Sequence, residues 1–156
     1  MNLELIKSMT DTVYPKGCIL VAYAGDGSQA DYIPVVQSYV TCIEARGFQV
    51  EALRAKGYQT IWEDFLLYKP WRTLWDTIYL FPPAIPGVDL RSVQHAFKML
   101  RFGGGLVSPM MAEVFTSKSA IYSRFRTWIR EQTQYAEIKV DECQIVPLLS
   151  MQKKTP

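Results

Sequence analysis

The chain is divided into short apolar runs and longer stretches with helical composition. An apolar run from Cys18 to Tyr23 ends at Gly25-Asp26-Gly27, and residues 28–39, which can be helical, follow it. Buried parallel strands read as short continuous apolar runs, and glycine marks the turn that leaves them. The pattern therefore predicts a strand, a glycine turn and the beginning of a helix.

The rest of the chain repeats this alternation. Further apolar runs predict strands, and these runs lie at 40–44, 58–62, 77–81 and 106–110. Helices are predicted between them, at 48–56, at 89–100 and beyond Ser117 or Ser119. Asp89 is expected to cap the second of these helices, and Gly103-Gly104-Gly105 is expected to end it. Strands that alternate with helices indicate βαβ units and a parallel sheet.

The two ends of the chain follow a different pattern. Residues 1–17 are predicted to be a lead-in of one or two helical turns, and residues 152–156 a frayed tail. The last apolar runs, 135–140 and 144–149, predict an antiparallel pair closing around Asp141-Glu142. A length of 156 residues favours a single domain over residues 1–156.

The glycine turn carries a candidate nucleotide site. Gly25-x-Gly27-x-x-Ala30 fits the nucleotide-binding fingerprint, and Glu44 lies about 20 residues further on, where a ribose-binding carboxylate is expected. A purely structural turn between strand and helix is the alternative. In parallel sheets, ligands bind beyond the carboxyl ends of the strands. The segments that follow strands are therefore expected on one edge, and they are Gly25-Asp26-Gly27, Glu44, Asp64 and Phe81-Pro82-Pro83.

Composition narrows the class of protein. A hydrophobic fraction of 49% suffices for a packed core, and a formal charge of +2 is too small to indicate nucleic-acid binding by itself. Cys18, Cys42 and Cys143 lie in apolar runs without zinc-ligand spacing, so they are expected to be buried free thiols. No apolar stretch approaches the ~20 residues of a membrane span, and no signal-peptide core is present. We expect a cytoplasmic protein that holds no metal and does not span a membrane.

Five motifs, taken in order along the chain, resemble a known family. They are Ala24-Gly25-Asp26-Gly27, Thr41-Cys42-Ile43-Glu44, Glu63-Asp64-Phe65-Leu66, residues 75–83 (WDTIYLFPP) and residues 100–108 (LRFGGGLVS). The chain resembles class I S-adenosylmethionine-dependent methyltransferases over residues 16–150, and within them the branch that methylates the exocyclic amino group of adenine in DNA. The resemblance implies a three-layer α/β Rossmann-like fold, with a mostly parallel sheet and an antiparallel last strand.

The resemblance also implies a cofactor, S-adenosylmethionine, and roles for the residues that hold it. The turn Ala24-Gly25-Asp26-Gly27 would lie alongside the methionine part of the cofactor, and Glu44 would bind the ribose hydroxyls. Asp64 would accept a hydrogen bond from the adenine amino group, and Phe65 would lie beside the adenine. A carboxylate suits both tasks because it only accepts hydrogen bonds, and a buried amino donor left unpaired costs ~1–3 kcal/mol.

The catalytic motif departs from the family pattern, which is Asp or Asn, then Pro-Pro, then Tyr or Phe. This chain has Phe81-Pro82-Pro83-Ala84. Phe81 offers no side-chain acceptor for an amino group, and Ala84 offers no ring to stack on a flipped base. Before the glycines, Val21 and Ala22 replace an acid and a proline, and the Tyr23 phenol is expected to fill part of the methionine channel. The sequence predicts a catalytically degenerate site.

Two functional hypotheses remain from the sequence. In the first, the protein is a methyltransferase-like pseudoenzyme that serves as a binding module for a nucleic acid, a protein partner or a dimer mate. In the second, it is an active S-adenosylmethionine-dependent methyltransferase with an altered acceptor, bound in a hydrophobic pocket of Phe81 and Ala84. Residues 109–119 are the longest candidate substrate loop.

Other conspicuous side chains have ordinary interpretations. His95 is expected to satisfy a local hydrogen bond rather than to act in catalysis. Trp71 and Trp75 are interpreted as core or interface residues, with nucleobase stacking as the alternative. The basic residues of the last predicted helix are interpreted as a solvated face, with phosphate binding as the alternative. They are Lys118, Arg124, Arg126 and Arg130.

Overall fold

A computed structural model of the chain describes residues 2–71, 74–142 and 146–156. The strands are β1 (Ile19–Ala22), β2 (Val40–Glu44), β3 (Gln59–Trp62), β4 (Trp75–Leu80), β5 (Leu100–Pro109), β6 (Ala136–Glu142) and β7 (Pro147–Lys153). The helices are α1 (Leu3–Thr12), α2 (Gly47–Ala55), α3 (Val88–Met99), α4 (Glu113–Thr116) and α5 (Ala120–Gln132). The strands form one seven-stranded sheet in the order β3-β2-β1-β4-β5-β7-β6.

The sheet confirms the predicted fold class. β1 pairs in parallel with β2 on one side and with β4 on the other, and β3 and β5 extend the parallel part. β7 is antiparallel to both β5 and β6. The chain leaves β1 toward one edge and returns to β4 on the opposite side, which makes the carboxyl end of β1 a topological switch point. Open α/β sheets bind their ligands at such points.

Alternate residues of β1 supply the cores on the two faces of the sheet. Leu20 and Ala22 belong to the cluster under α3 and α5, whereas Ile19 and Val21 belong to the cluster under α1. All four side chains are fully buried. This explains why β1 reads as a continuous apolar run, since a parallel strand covered on both faces has no polar side.

The helix predicted after β1 is wrong. Residues 23–39, all of them described, contain only two 3₁₀ helices, Ala30–Tyr32 and Gln37–Tyr39. Pro34 lies in the middle of this stretch. A proline there cannot donate to a helix ladder, and it pushes the residue before it out of the helical region. The glycine turn therefore does not open an α-helix.

The predicted role of the three glycines is also wrong. α3 ends at Met99, and β5 begins at Leu100 and continues through all of them. A Cβ on Gly104 would lie 2.9 Å from the backbone oxygens of Arg101 and Asp76. Only glycine allows the backbones to approach so closely, next to the register shift in the β4–β5 pairing. The glycines thus belong to a crowded strand and do not stop the helix.

Asp89 does not cap α3 as predicted. The N-cap is Gly87, at φ 85°, and Asp89 lies inside the first turn with 2% exposure. Its carboxylate accepts hydrogen bonds from the backbone N–H groups of Leu90, at 2.9 Å, and Met111, at 3.0 Å. The side chain therefore ties the beginning of α3 to the loop after β5. At α5, by contrast, Ser119 occupies the N-cap position, one of the two serines predicted to open that helix.

Both ends of the chain are more ordered than predicted. α1 has ten residues, and its N-cap Asn2 accepts a hydrogen bond from the N–H of Leu5. The closing pair covers 136–142 and 147–153, so Gln152 and Lys153 belong to β7 and not to a frayed tail. The Lys153 ammonium donates to the carbonyl of Leu100 at 3.1 Å. The predicted residues 144 and 145 lie outside the described part.

The cysteines differ from one another. Cys42 is buried, as predicted, whereas Cys18 is exposed, which corrects the expectation for that residue. Cys18 immediately precedes β1, and its side chain lies outside the apolar interior. Cys143 lies outside the described residues. Within the described ranges, no helix combines the length and the apolar character needed to cross a bilayer.

Candidate functional site

A cleft of about 440 Å³ opens at the carboxyl ends of the central strands. It lies at the switch point, between the turn after β1, the end of β2 and the segment after β4. Its lining residues are Tyr23, Gly25, Gln29, Glu44, Ala45, Arg46, Phe81 and Pro83. The structure thus brings Gly25, Glu44 and the Phe81-Pro82-Pro83 segment to one edge, as the sequence predicted.

Glu44 is the buried charge of this cleft. It ends β2 and is only 5% exposed. One carboxylate oxygen, Oε2, accepts a hydrogen bond from the backbone N–H of Gly25 at 2.9 Å. The other, Oε1, accepts from the backbone N–H and from Nε of Arg46, both at 3.0 Å. Glu44 therefore joins the end of β2 to the turn after β1.

Arg46 occupies acceptor positions on the Glu44 carboxylate that a ligand in the cleft would need. Its guanidinium reaches both oxygens of Glu44, although the bond to Oε2 is long at 3.4 Å, and it lies 5.7 Å from the ring centre of Phe48. A carboxylate offers about four lone-pair positions, and three of them take short bonds here. Binding two ribose hydroxyls through Glu44 therefore requires Arg46 to move. The Arg46 side chain is 58% exposed whereas Glu44 is buried, so the half-exposed ion pair that opposes this movement is worth about 1 kcal/mol, the upper end of the range for surface pairs.

Glu44 remains ionised in this environment. Burial alone would raise the pKa of its carboxyl group, but the hydrogen bonds from Arg46 and Gly25 outweigh the burial and hold the pKa below its ordinary value. The carboxylate is therefore negatively charged near neutral pH, and it is paired with the Arg46 guanidinium, which also lines the cleft. The sequence missed Arg46, because nothing in Glu44-Ala45-Arg46 shows that the guanidinium folds back on the acid two residues before it.

The glycine turn contributes one residue to the cleft wall. Gly25 has φ 58°, a backbone conformation that favours glycine. The surrounding space would accommodate a side chain, because a Cβ there would meet nothing nearer than Gln29 Oε1 at 3.9 Å. Ala24 is buried, Asp26 is exposed, and Gly27 faces Leu53. Of the four predicted turn residues, only Gly25 lines the cleft.

Three of the four backbone donors of the turn are already engaged, those of Ala24, Gly25 and Gly27. The N–H of Gly27 donates to the carbonyl of Ala24 at 3.1 Å, and the N–H of Ser28 donates to Oδ1 of Asp26 at 2.9 Å. No α-helix follows, so the turn presents no helix N-terminus to an anionic group. The methionine end of a cofactor would find fewer donors here than the sequence motif predicts.

Tyr23 forms the inner wall of the cleft. It has φ 58°, an uncommon conformation for a residue with a side chain. Its hydroxyl is 2.7 Å from Oγ of Ser92 on α3, and its ring packs edge-on against Phe65 with centres 5.5 Å apart. The pKa of the phenol is raised, because the effect of burial is larger than the opposite effect of the hydrogen bond to Ser92. The half-buried ring is therefore neutral and fixed at the cleft wall.

Asp64 and Phe65, the predicted adenine contacts, do not line the cleft. Asp64 is exposed, and its Oδ1 accepts from the N–H of Leu66 at 2.8 Å. Phe65 is 2% exposed and packs edge-on against the ring of His95, with centres 5.1 Å apart. Nε2 of His95 lies 2.7 Å from the carbonyl of Tyr68, which agrees with the predicted local hydrogen bond. The structure therefore gives Phe65 and His95 packing roles.

The Phe81-Pro82-Pro83-Ala84 segment follows β4 and contributes another wall of the cleft. The N–H of Phe81 donates to the carbonyl of Ala22 at 3.1 Å, which continues the pairing of β4 with β1, and the half-buried ring lines the cleft. The carbonyl of Pro83 accepts from the N–H of Ile85 at 2.7 Å, and Ala84 is exposed. No side chain of residues 81–84 carries a hydrogen-bonding group. The side chains of this wall can therefore contact a ligand only by apolar surface, and any hydrogen bond from a ligand must go to a backbone carbonyl.

The remaining candidate groups fall outside this cleft. Trp75 is 5% exposed within the core, as interpreted, whereas Trp71 is 86% exposed. Both guanidinium nitrogens of Arg126 donate to backbone carbonyls, those of Val114 and Ser117. Among the described residues, no cluster of three or more His, Cys, Asp or Glu side chains could hold a metal ion.

Comparisons with known proteins agree with this geometry at the level of the fold. No protein-family model matches the sequence, and no curated protein matches it. Solved methyltransferases match the structure over nearly all of the chain. The N-methyltransferase NodS from Bradyrhizobium japonicum has a TM-score of 0.69 and 15% identity, over 98% of this chain and 94% of that chain. A methyltransferase from Pyrococcus furiosus has a TM-score of 0.67 and 12% identity, over 99% and 84%.

A third similar structure contains a ligand. The plantazolicin methyltransferase BpumL, solved in complex with a desmethylPZN analog and SAH (S-adenosylhomocysteine), has a TM-score of 0.67 and 12% identity, over 98% of this chain and 84% of that chain. At such identities the likeness concerns the fold alone. The chain therefore has the α/β fold of these class I S-adenosylmethionine-dependent methyltransferases.

Proposed function

We propose that this protein binds S-adenosylmethionine or S-adenosylhomocysteine in the Glu44 cleft and is a catalytically degenerate relative of the DNA adenine methyltransferases. The observation that carries the proposal is the buried, ionised carboxylate of Glu44, placed at the switch point of the sheet beside Gly25. Such a group at the end of the second strand is suited to a pair of ribose hydroxyls.

The dimensions and chemistry of the cleft support a nucleoside ligand. Its volume of about 440 Å³ lies within the range of small-molecule sites. Apolar walls, formed by the rings of Tyr23 and Phe81, combine with polar groups at Glu44, Gln29 and Arg46. SAH is the ligand in the complex of BpumL, which shares the fold.

The acceptor side supports the loss of amino-group methylation. A target amino group needs an acceptor in the site, because leaving such a donor buried and unpaired costs ~1–3 kcal/mol. The Phe81 side chain has no acceptor, and among the backbone carbonyls of this segment that of Pro83 already accepts from Ile85. Ala84 is exposed and has no ring on which a flipped adenine could stack. The protein would then act as a cofactor-dependent binding module.

Titration calorimetry with S-adenosylmethionine and S-adenosylhomocysteine tests the first half of the proposal. We expect binding with a Kd of order 10⁻⁵ M, corresponding to about −7 kcal/mol, and its loss in Glu44→Ala. Glu51→Ala, on the exposed surface of α2, is the matched control and should bind normally. Absence of binding at millimolar ligand would contradict the proposal.

A methyl-transfer assay tests the second half. Wild-type protein, labelled S-adenosylmethionine and duplex or single-stranded DNA should give no N6-methyladenine. Detection of methylated adenine at a rate above that of the Glu44→Ala variant would contradict degeneracy. This outcome is separate from the calorimetric one, because a degenerate protein can still bind the cofactor.

The alternative is an active S-adenosylmethionine-dependent methyltransferase with an apolar acceptor. The apolar wall at Phe81 and Pro83 favours it, since these residues line the same cleft as Glu44. Formation of S-adenosylhomocysteine with a non-amine acceptor, abolished by Glu44→Ala and by Phe81→Asp, would favour this alternative over the degenerate module.

A further inference from the structure

The connection from β3 to β4 leaves one flank of α3 without a helical neighbour. Parallel strands are usually joined by a crossover helix that packs on the sheet. Within the described residues 63–71 and 74, this connection contains turns and extended backbone but no helix. Phe65 packs into the core under α3, and Leu66 packs partly against it, so the connection crosses the sheet on the α3 side. A thin segment therefore takes the place of a helix.

A cleft of about 400 Å³ runs along this open side of α3. We call its lining the α3 flank, and it consists of Leu66, Leu67, Arg91, Gln94, His95 and Lys98. Leu67 is 68% exposed and Leu66 is half-buried. In the same connection, Trp71 is 86% exposed and Leu74 is 42% exposed. Exposed apolar side chains concentrated in one connection are typical of an interaction surface.

The charge of the α3 flank is positive. Arg91 and Lys98 are exposed, and within the described part of the chain neither forms an ion pair with an acidic side chain. The second side of α3 carries another cleft, of about 230 Å³, which is lined by Arg91 and by Arg124 of α5. The surface formed by α3 and the neighbouring α5 thus presents Arg91, Lys98 and Arg124, and these cations favour an anionic partner.

The spacing of the two cations fits a helix. Arg91 and Lys98 are separated by seven positions, or about 10 Å along the axis of α3, which equals about two turns. A neighbouring helix with carboxylates seven positions apart would face both cations at once. The apolar stripe of that helix would then contact Leu66 and Leu67.

We propose that the α3 flank binds an acidic amphipathic helix of a partner protein, in the place that a crossover helix would otherwise take. A nucleic acid fits less well, because the apolar side chains that line the cleft, Leu66 and Leu67, are aliphatic, whereas base stacking needs flat aromatic faces and the exposed Trp71 lies outside the lining. The one aromatic side chain in the lining, His95, is already engaged with Phe65 and Tyr68. The inference goes beyond the proposed function and uses no residue that lines the Glu44 cleft.

Fluorescence anisotropy tests the proposal with a defined probe. The probe is a labelled helical peptide of about 18 residues, or five turns, with leucine on one face and glutamate on the others. A second peptide replaces every glutamate by lysine, and a single-stranded DNA of about 20 nucleotides reports binding of any polyanion. We expect the acidic peptide to bind with a Kd of about 10⁻⁵ to 10⁻⁴ M, and the lysine peptide not to bind.

Charge and contact variants locate the binding. The double variant Arg91→Glu/Lys98→Glu, and separately Leu67→Asp, should each weaken the acidic peptide at least about tenfold. Lys7→Glu is the matched control, because Lys7 is exposed on α1, on the opposite face of the sheet. Circular dichroism of each variant verifies that the fold is retained, and Leu67, being exposed, is replaceable without opening the core.

Three results would overturn the inference. One is no binding of the acidic peptide at millimolar concentration. Another is binding that neither the double charge reversal nor Leu67→Asp weakens. The third is binding of the DNA as tight as that of the acidic peptide, together with loss of DNA binding in the same variants, which would assign the α3 flank to nucleic acid.

Discussion

The carboxylate of Glu44 accepts a hydrogen bond from the backbone N–H of Gly25 at 2.9 Å. Nineteen positions separate the two residues in the chain, and the bond joins the carboxyl ends of two neighbouring parallel strands. The same carboxylate accepts two hydrogen bonds of 3.0 Å from Arg46. One buried acid therefore both braces the edge of the sheet and provides the anionic group of the cleft.

Glu44→Gln should destabilise the protein in a pH-dependent way. The folded-state pKa of Glu44 is lowered, so its stabilising contribution is present above the unfolded pKa of about 4.3 and is lost as the pH falls toward the folded value. We expect the free energy of unfolding to drop by about 1–3 kcal/mol near neutral pH. The difference between wild type and variant should shrink below about pH 4.

Urea unfolding at several pH values measures this difference. Glu51→Gln serves as the control, because Glu51 is exposed on α2 and its replacement should leave the pH profile unchanged. A Glu44→Gln variant whose stability loss is the same at acid and neutral pH would refute the role of the ionised carboxylate.

Arg46→Ala should tighten the binding of adenosine ligands through Glu44. The guanidinium takes lone pairs of the carboxylate that two ribose hydroxyls would need, and its removal frees them. Since this half-exposed ion pair is worth about 1 kcal/mol, we expect a gain of about fivefold in affinity. Calorimetry with S-adenosylhomocysteine measures it, and weaker binding by the variant would indicate that Arg46 contacts the ligand.

The sequence predicted where the strands of the parallel sheet lie along the chain and the edge where Glu44 and Gly25 meet. It could do so because an apolar run and the acid at its end are local features of the sequence. In a parallel sheet the ends of neighbouring strands lie at the same edge, so these local features indicate a common site. It failed for residues 28–39, where Pro34 outweighs a helical composition, and for Gly103-Gly104-Gly105, where the packing of β5 against β4 decides. The Arg46 contact to Glu44 depends on side-chain rotamers, which residue patterns do not encode.

Gly104→Ala should destabilise the protein strongly. The added Cβ would lie 2.9 Å from two backbone oxygens, so the β4–β5 pair must shift, and we expect a loss of about 3 kcal/mol. Gly103→Ala is the matched control, because its Cβ would meet nothing nearer than 3.9 Å and only the positive φ opposes it, at about 1 kcal/mol. Thermal unfolding compares the two, and equal losses would contradict the close approach.

The thiols of Cys18 and Cys42 should differ widely in reactivity. Cys18 is exposed, whereas burial raises the pKa of the Cys42 thiol to about 12. Thiolates are the reactive form, so native protein treated with iodoacetamide near pH 8 should be alkylated at Cys18 first. Peptide mass spectrometry resolves the two sites. In urea, where both thiols are exposed, the two alkylation rates should be equal. Similar alkylation rates at both residues in the native protein as well would contradict the burial of Cys42.

Asp89→Ala should loosen the loop after β5. The carboxylate accepts from the N–H of Met111 at 3.0 Å, and its removal leaves that donor without this partner. We expect a loss of about 1–3 kcal/mol in stability and faster amide exchange at Met111. Hydrogen exchange followed by NMR reports the amide directly. Unchanged protection of Met111 would mean that the loop is held by other contacts.

The stretch between β1 and β2, which contains no α-helix, also bears on how fast the chain folds. Contacts within a helix form in about a microsecond. Pairing Ile19 with Val40 instead requires closing a long loop, and the entropy of that closure is lost before the strands gain any favourable contact. The central strand must therefore find its register between β2 and β4 without a local helix to bring β1 and β2 together. Docking of β1 is then the expected slow step of refolding, and the amides of Leu20 and Val21 should acquire protection last.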